Sequence, residues 1–297
     1  MEILRTPEQF FSDLPGYGFK PNYLDDLSGF EGLRLHYLDE GERVADQAFL
    51  CLHGQPTWSY LYRKMISPFT NAGGRVVAPD LYGFGKSDKP VEEAFYTFSR
   101  HRELLLAFVE RLDLRNITLV VQDWGGILGL TLPMSAPQRY RRLIVMNTAL
   151  ATGDVPLGNG FLQWRAYANS QADLDIPRLM ARACPQLSPS EAAAYGAPYP
   201  DVRYKSGVRR FPNLVPDHPD ADGAAISRAA RSWWRDEWKG SSFMAIGAAD
   251  PVLGTPVMQN LRRLIQGCPE PHIHPTAGHF VQEWGDEIAR AALAHFA

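Results

Sequence analysis

Ile117-Thr118-Leu119-Val120-Val121-Gln122-Asp123-Trp124-Gly125-Gly126 is the stretch from which the rest of the chain can be read. Its first five residues are apolar or β-branched, the composition of a strand covered on both faces. Gln122 and Asp123 break that run, Trp124 follows, and two glycines open an apolar, helix-compatible segment from Ile127 to Leu132. The pattern predicts a strand, a sharp turn and a helix, with Asp123 at the tip of the turn. One reading makes Asp123 the N-cap of that helix. The other makes it a nucleophile, because a carboxylate is ionised at neutral pH without a base and can attack saturated carbon to form an ester.

Upstream, Ala48-Phe49-Leu50-Cys51-Leu52 is a continuous apolar run ending in His53-Gly54-Gln55-Pro56-Thr57-Trp58. A loop at the carboxyl end of a central strand is where open α/β sheets place ligands. Residues 32–38 alternate in strand fashion, and Asp39-Glu40-Gly41-Glu42 reads as a turn. Arg75 to Leu81 is a further strand, followed by Tyr82-Gly83-Phe84-Gly85-Lys86-Ser87. Those glycines lack the third glycine and the strand–helix setting of a phosphate loop. Residues 99–112 have helical periodicity, with Leu104, Leu105, Phe108, Val109 and Leu112 on one stripe. Downstream, Arg142–Asn147 and Ser242–Gly247 read as strands, and residues 271–275 as a last short one before a closing helix. Strand–helix alternation of this kind implies a mostly parallel sheet with right-handed crossovers.

From about 153 to 220 the texture changes to prolines, scattered aromatics and short capped helices such as Ser190–Tyr195. We read 154–220 as an inserted helical cap on a core formed by 1–153 and 221–297. Arg203, Lys205, Arg209 and Arg210 in this stretch read as a solvated basic face. A chain of 297 residues with 45% apolar and 21% charged residues suits a soluble globular enzyme. The formal charge of −3 argues against a nucleic-acid partner. No apolar run matches a membrane span, and MEILRTPEQF does not read as a secretory signal, so a cytoplasmic protein is expected. Cys51, Cys184 and Cys268 read as reduced thiols. His272 and His274 share one side of a strand but have no partner at metal-ligand spacing, so neither a metal nor another cofactor is expected.

Asp123, Asp250 and His279 each follow a predicted strand, in the chain order of the α/β-hydrolase triad. The strand–turn–helix around Asp123 resembles the nucleophile elbow of that family, with Gly125 as its small residue and Val121 in place of its first glycine. Over nearly the whole chain the sequence resembles a haloalkane dehalogenase. The resemblance is carried by HGQPTWSYLYRKM (53–65), VVQDWGG (120–126), FMAIGAADPVLG (243–254) and GHFVQE (278–283). It implies the α/β-hydrolase fold: a mostly parallel eight-stranded sheet flanked by helices, with a helical cap. It also implies roles. Asp123 attacks the halogenated carbon, His279 activates water against the resulting ester, and Asp250 orients His279. Trp124 and the cap residue Trp164 donate their indole N–H to the halide, a charge that an apolar pocket does not accept without donors. The backbone N–H groups of Gln55 and Trp124 form the oxyanion hole. Other subgroups carry the acid near Asn147, which is uncharged here. Gln55 departs from the glutamate or asparagine of relatives, and its side chain is left between positioning water and reaching halide. Gln55-Pro56 is expected to be cis by the same resemblance. The partners implied are a small halogenated alkane and a halide ion, with no nucleic acid or membrane, in a monomer or weak homo-oligomer.

An epoxide hydrolase would share the fold, the aspartate and the HGxP turn, but needs acidic donors for the emerging alkoxide. The run that carries its cap tyrosine corresponds here to Ser232-Trp233-Trp234-Arg235, which leaves Tyr167, Tyr195, Tyr199 and Tyr204 as candidate donors. A fluoroacetate dehalogenase would want an arginine beside the nucleophile, where Trp124 stands. A non-catalytic receptor would have no need of the Asp123–Asp250–His279 set. The expected chemistry is cofactor-free hydrolytic dehalogenation.

Overall fold

In the computed structural model, which describes residues 1–297, the apolar runs line up in one eight-stranded sheet. In chain order the strands are β1 (Ile3–Leu4), β2 (Asn22–Leu24), β3 (Leu35–Glu40), β4 (Ala48–Leu52), β5 (Arg75–Pro79), β6 (Lys89–Pro90), β7 (Ile117–Val121), β8 (Tyr140–Met146), β9 (Ser241–Gly247) and β10 (His272–His274). The large sheet has the order β10-β9-β8-β7-β4-β5-β3-β2, while β1 and β6 form a separate antiparallel ribbon. Neighbours from β10 to β5 are parallel, and β3 runs antiparallel to β5. Every residue of β4 and β7 is buried, because helices cover both faces.

The helices are α1 (Arg63–Asn71), α2 (Phe98–Arg111), α3 (Asp123–Gly129), α4 (Asn159–Ser170), α5 (Ile176–Ala183), α6 (Pro189–Ala194), α7 (Ser206–Arg210), α8 (Ala224–Asp236), α9 (Thr255–Leu264) and α10 (Gly285–Phe296). The Thr97 side chain caps α2, and the apolar stripe from Leu104 to Val109 is buried. The crossover from β4 through α1 reaches β5 on one side; the chain then returns through α2 to β7 on the other side of β4. That reversal opens a crevice at the carboxyl ends of β4 and β7, which pair in register at Leu52 and Val121.

Helices α4 to α7 lie between β8 and β9 without an intervening strand. A capping box between Ser188 and Glu191 starts α6. The same Glu191 accepts from Arg63 of α1 at 2.9 Å. Arg63 also makes two bonds to Glu283, at 2.7 and 2.9 Å, and the Tyr195 hydroxyl donates to Glu283. Helix α8 is tied to the core by Trp234, whose indole N–H donates to the Leu130 carbonyl at 2.7 Å.

Three local expectations change. Asp39 and Glu40 belong to β3 and not to a turn, because Arg75 on the neighbouring strand neutralises Asp39 at 2.7 and 3.0 Å; the turn begins at Gly41 (φ +87°). Helix α3 ends at Gly129 and does not reach Leu132, since Pro133 starts a separate turn of 3₁₀ helix. Arg203, Lys205 and Arg209 are not simply solvated: they pair with Glu2, Asp173 and Glu93. On β10, His272 and His274 face Glu287 at 3.2 and 3.9 Å.

Candidate active site

Asp123 sits at the junction of β7 and α3 with φ +50°, a conformation that side-chain-bearing residues seldom adopt. The turn is held from β8: the Asp123 N–H donates to the Asn147 carbonyl at 3.0 Å, and the Thr148 hydroxyl donates to the Asp123 carbonyl at 2.7 Å. Gly125 is required because a Cβ there would lie 1.9 Å from the Leu52 carbonyl oxygen, so α3 can start close above β4 only with glycine. The helix takes no side-chain cap from Gln122 or Asp123. Instead, one Asp123 carboxylate oxygen accepts the Gln55 backbone N–H at 2.8 Å, and the other lies 3.3 Å from His279 Nε2. Asp123 is therefore held for presentation and not spent on capping.

His279, in the loop after β10, bonds through Nδ1 to Asp250 Oδ2 at 2.8 Å. Asp250, in the loop after β9, has a fully buried side chain. Its carboxylate also accepts from Asn147 Nδ2 at 2.9 Å and from the Val252 N–H at 2.8 Å. Burial alone would raise the Asp250 pKa, but the His279 charge and these hydrogen bonds hold it down at about 2. Burial likewise opposes the charged form of His279, yet Asp250 and Asp123 together push it up to about 10. The carboxylates on either side of the ring, Asp250 and Asp123, thus both favour its charged form.

Two side chains of this site were not assigned from the sequence. Asn147, noted there only as uncharged, serves the acid: besides Asp250 it bonds the N–H and carbonyl of Gly247, at 2.8 and 3.1 Å. Gln122 is fully buried; its Nε2 lies 3.0 Å from the His279 carbonyl and 2.9 Å from His279 Nε2. The one available signal was a polar residue closing an otherwise apolar strand.

A cavity of about 810 Å³ lies over this triad. Asp123, Trp124 and His279 form its floor, and Leu157, Phe161 and Trp164 reach it from α4 and the residues just before it. Trp124 is 3% exposed and packs edge-on against Phe211, while Trp164 is half-buried. The indoles of Trp234 and Trp238 donate to protein acceptors; those of Trp124 and Trp164 do not, and both line the cavity. The Gln55 side chain donates from Nε2 to the Val208 carbonyl at 3.0 Å, so its N–H₂ group is engaged by α7. No tyrosine lines the cavity. Tyr195 bonds Glu283, Tyr199 bonds the Pro56 carbonyl at 3.4 Å, and Trp234 lies in the core. The donors that epoxide opening needs are absent from the cavity wall. The Gln55-Pro56 peptide is cis.

Residues 47–286 match the family of the alpha/beta hydrolase fold. The chain is 44% identical to a haloalkane dehalogenase of Psychrobacter cryohalolentis, covering 98% of this chain and 96% of that one. It is 42% identical to haloalkane dehalogenase 1 of Mycobacterium tuberculosis, covering 99% and 98%. Among solved structures, the tetrameric haloalkane dehalogenase DpaA from Paraglaciecola agarilytica superposes with a TM-score of 0.97 at 52% identity, covering 99% of this chain and 98% of that one. With the strand order, the elbow and relatives of this identity over its full length, the chain belongs to the haloalkane dehalogenases of the α/β-hydrolase fold.

Proposed function

We propose that the protein hydrolyses carbon–halogen bonds through an ester on Asp123. The observation that carries this reading is the Asp123 carboxylate itself, uncapped on a strained turn beneath an apolar cavity with two indole N–H groups free to meet an anion. In the first step a carboxylate oxygen attacks the halogenated carbon, a C–O bond forms, and the carbon–halogen bond breaks with its electron pair leaving on the halide. Trp124 and Trp164 donate to that halide. In the second step His279 takes a proton from water as the oxygen adds to the ester carbonyl, while the Gln55 and Trp124 N–H groups stabilise the oxyanion. Collapse gives alcohol and regenerates the carboxylate; the net proton is released to solvent. Asp250 holds the imidazole and stabilises its charged form.

Alkylation also converts Asp123 from an anion to a neutral ester. His279 then faces one carboxylate and not two, which weakens its hold on a proton; the proton it sheds passes to solvent, and the neutral ring can act as base. Residues 154–220 act as the cap that shapes the cavity over a core of 1–153 and 221–297. No helix is long and apolar enough to cross a membrane, and we infer a cytoplasmic enzyme that needs no cofactor. Sedimentation velocity decides between the monomer or weak homo-oligomer expected from sequence and the tetramer formed by the Paraglaciecola relative.

The direct test is His279→Gln mixed with 1,2-dibromoethane, with intact and peptide masses recorded. A stable alkyl adduct on Asp123 with one equivalent of bromide is expected. No adduct and no bromide, with the wild type equally silent, would overturn the reading; styrene oxide is then the next substrate.

A further inference from the structure

Gln122 is fully buried one residue before the nucleophile, and no step above uses it. Its amide orientation follows from its neighbours. The His279 backbone carbonyl can only accept, so the Gln122 N–H₂ end must face it, at 3.0 Å. The Gln122 carbonyl end faces Gln282 Nε2 at 3.4 Å. With both ends fixed, the remaining N–H of Gln122 is directed to His279 Nε2 at 2.9 Å. That contact is favourable only when Nε2 carries a lone pair. Asp250 accepts from Nδ1 at 2.8 Å, so the favoured neutral form has its proton on Nδ1 and its acceptor at Nε2. In the imidazolium an N–H would meet the Gln122 N–H, and only the Asp123 carboxylate, 3.3 Å away, offsets this.

We propose that Gln122 is a positioning residue for the second step: its amide selects the imidazole form of His279 that accepts a proton at Nε2 once Asp123 is esterified. In the resting enzyme two carboxylates, Asp250 and Asp123, oppose the Gln122 donor at the ring. After alkylation one of them is neutral, while the Gln122 donor is unchanged, so the balance moves toward the base. Water then competes with Gln122 for the lone pair, and the proton transferred to Nε2 displaces the amide contact. This rests on the ester mechanism proposed above and adds a residue that sets when the base becomes available.

The test compares wild type with Gln122→Ala and the isosteric Gln122→Glu, using 1,2-dibromoethane in rapid-quench bromide assays and intact-protein mass spectra between pH 6 and 10. For Gln122→Ala the bromide burst should keep its amplitude and rate. Ester hydrolysis should slow by about ten-fold at neutral pH, the equivalent of one hydrogen bond, and alkylated Asp123 should accumulate. The pH at which hydrolysis reaches half its plateau should rise by about one unit. Gln122→Glu, which replaces a donor with an anion, should move that midpoint further in the same direction. Should Gln122→Ala not fold, as judged by circular dichroism, Gln122→Glu gives the same readout at conserved volume. An unmoved pH midpoint with alkylation and hydrolysis slowed equally would overturn the proposal and leave Gln122 as packing. Absence of any bromide burst in the wild type would overturn the ester mechanism itself.

Discussion

The two walls of the cavity are built differently. The floor is held by the sheet: Asp123, Gln55, Asn147, Asp250 and His279 stand beyond the carboxyl ends of its strands and are joined by contacts of 2.8 to 3.3 Å. The roof at α4 has no buried residue, and its side-chain hydrogen bonds run to Asp217 and Asn213, within the stretch read as the cap. It approaches the core closely at Gly160, where a Cβ would lie 2.1 Å from the Pro251 carbonyl, and Phe161 and Trp164 pack against the core cluster. The floor is fixed by polar geometry, and the roof by apolar packing and the close fit of Gly160. On the proposed mechanism the groups that make and cleave the ester stand on the floor, while the roof contributes the halide donor Trp164 and the shape of the cavity.

The sharpest way to break this division is at the floor. Asp123→Ala should abolish halide release, with a loss of at least ~10⁴-fold in kcat/KM and no burst. Asp250→Asn should leave alkylation largely intact but slow ester hydrolysis by roughly 10³–10⁴-fold, as loss of the orienting acid does in related triads. Single-turnover kinetics would separate the two steps. If alkylation slowed as much as hydrolysis, the floor would be responding as one packed unit and not as distinct parts.

At the roof, Gly160→Val must push α4 away from Pro251 and carry Trp164 with it. The expected result is a KM raised by about ten-fold and weaker halide quenching of tryptophan fluorescence, with ester hydrolysis near the wild-type rate. Trp164→Phe should reproduce the weaker halide binding, removing one hydrogen bond to an anion of about 1.5–3 kcal/mol. A loss confined to ester hydrolysis in either variant would count against the division.

The smallest effect is on stability. The His279 pKa is raised in the folded state to about 10, so its contribution is fully present below the ordinary imidazole value and is lost as pH rises through about 10. Asp250, depressed to about 2, contributes above the ordinary carboxylate range and loses that contribution as pH falls through about 2. The Tm difference between wild type and His279→Gln should therefore be largest between about pH 4 and 6.5, a few degrees, and close by pH 10. Thermal melts across that range give the answer.

Much of the floor was legible in sequence because each part has a local mark. Continuous apolar runs marked most of the parallel strands; Asp123 and Asp250 follow such runs, and His279 follows the short β10. Asp39 and Glu40 misled because acidic pairs mark turns, and the neutralising Arg75 is a cross-strand neighbour remote in sequence. Gln122 and Asn147 could not be assigned for a related reason: an amide has no role until the geometry shows which of its ends meets what. The cap announced itself as a change in composition, but its seams did not. The pairing of Arg209 with Glu93 and of Gln55 with the Val208 carbonyl joins residues more than a hundred positions apart.

The Arg63 cluster has a consequence for traffic into and out of the cavity. Lifting α6 would separate Glu191 and Tyr195 from a buried guanidinium–carboxylate pair, whereas lifting α4 breaks no hydrogen bond to the core. Local opening should therefore begin at α4, and amide deuteration should run ahead there while α6 stays protected.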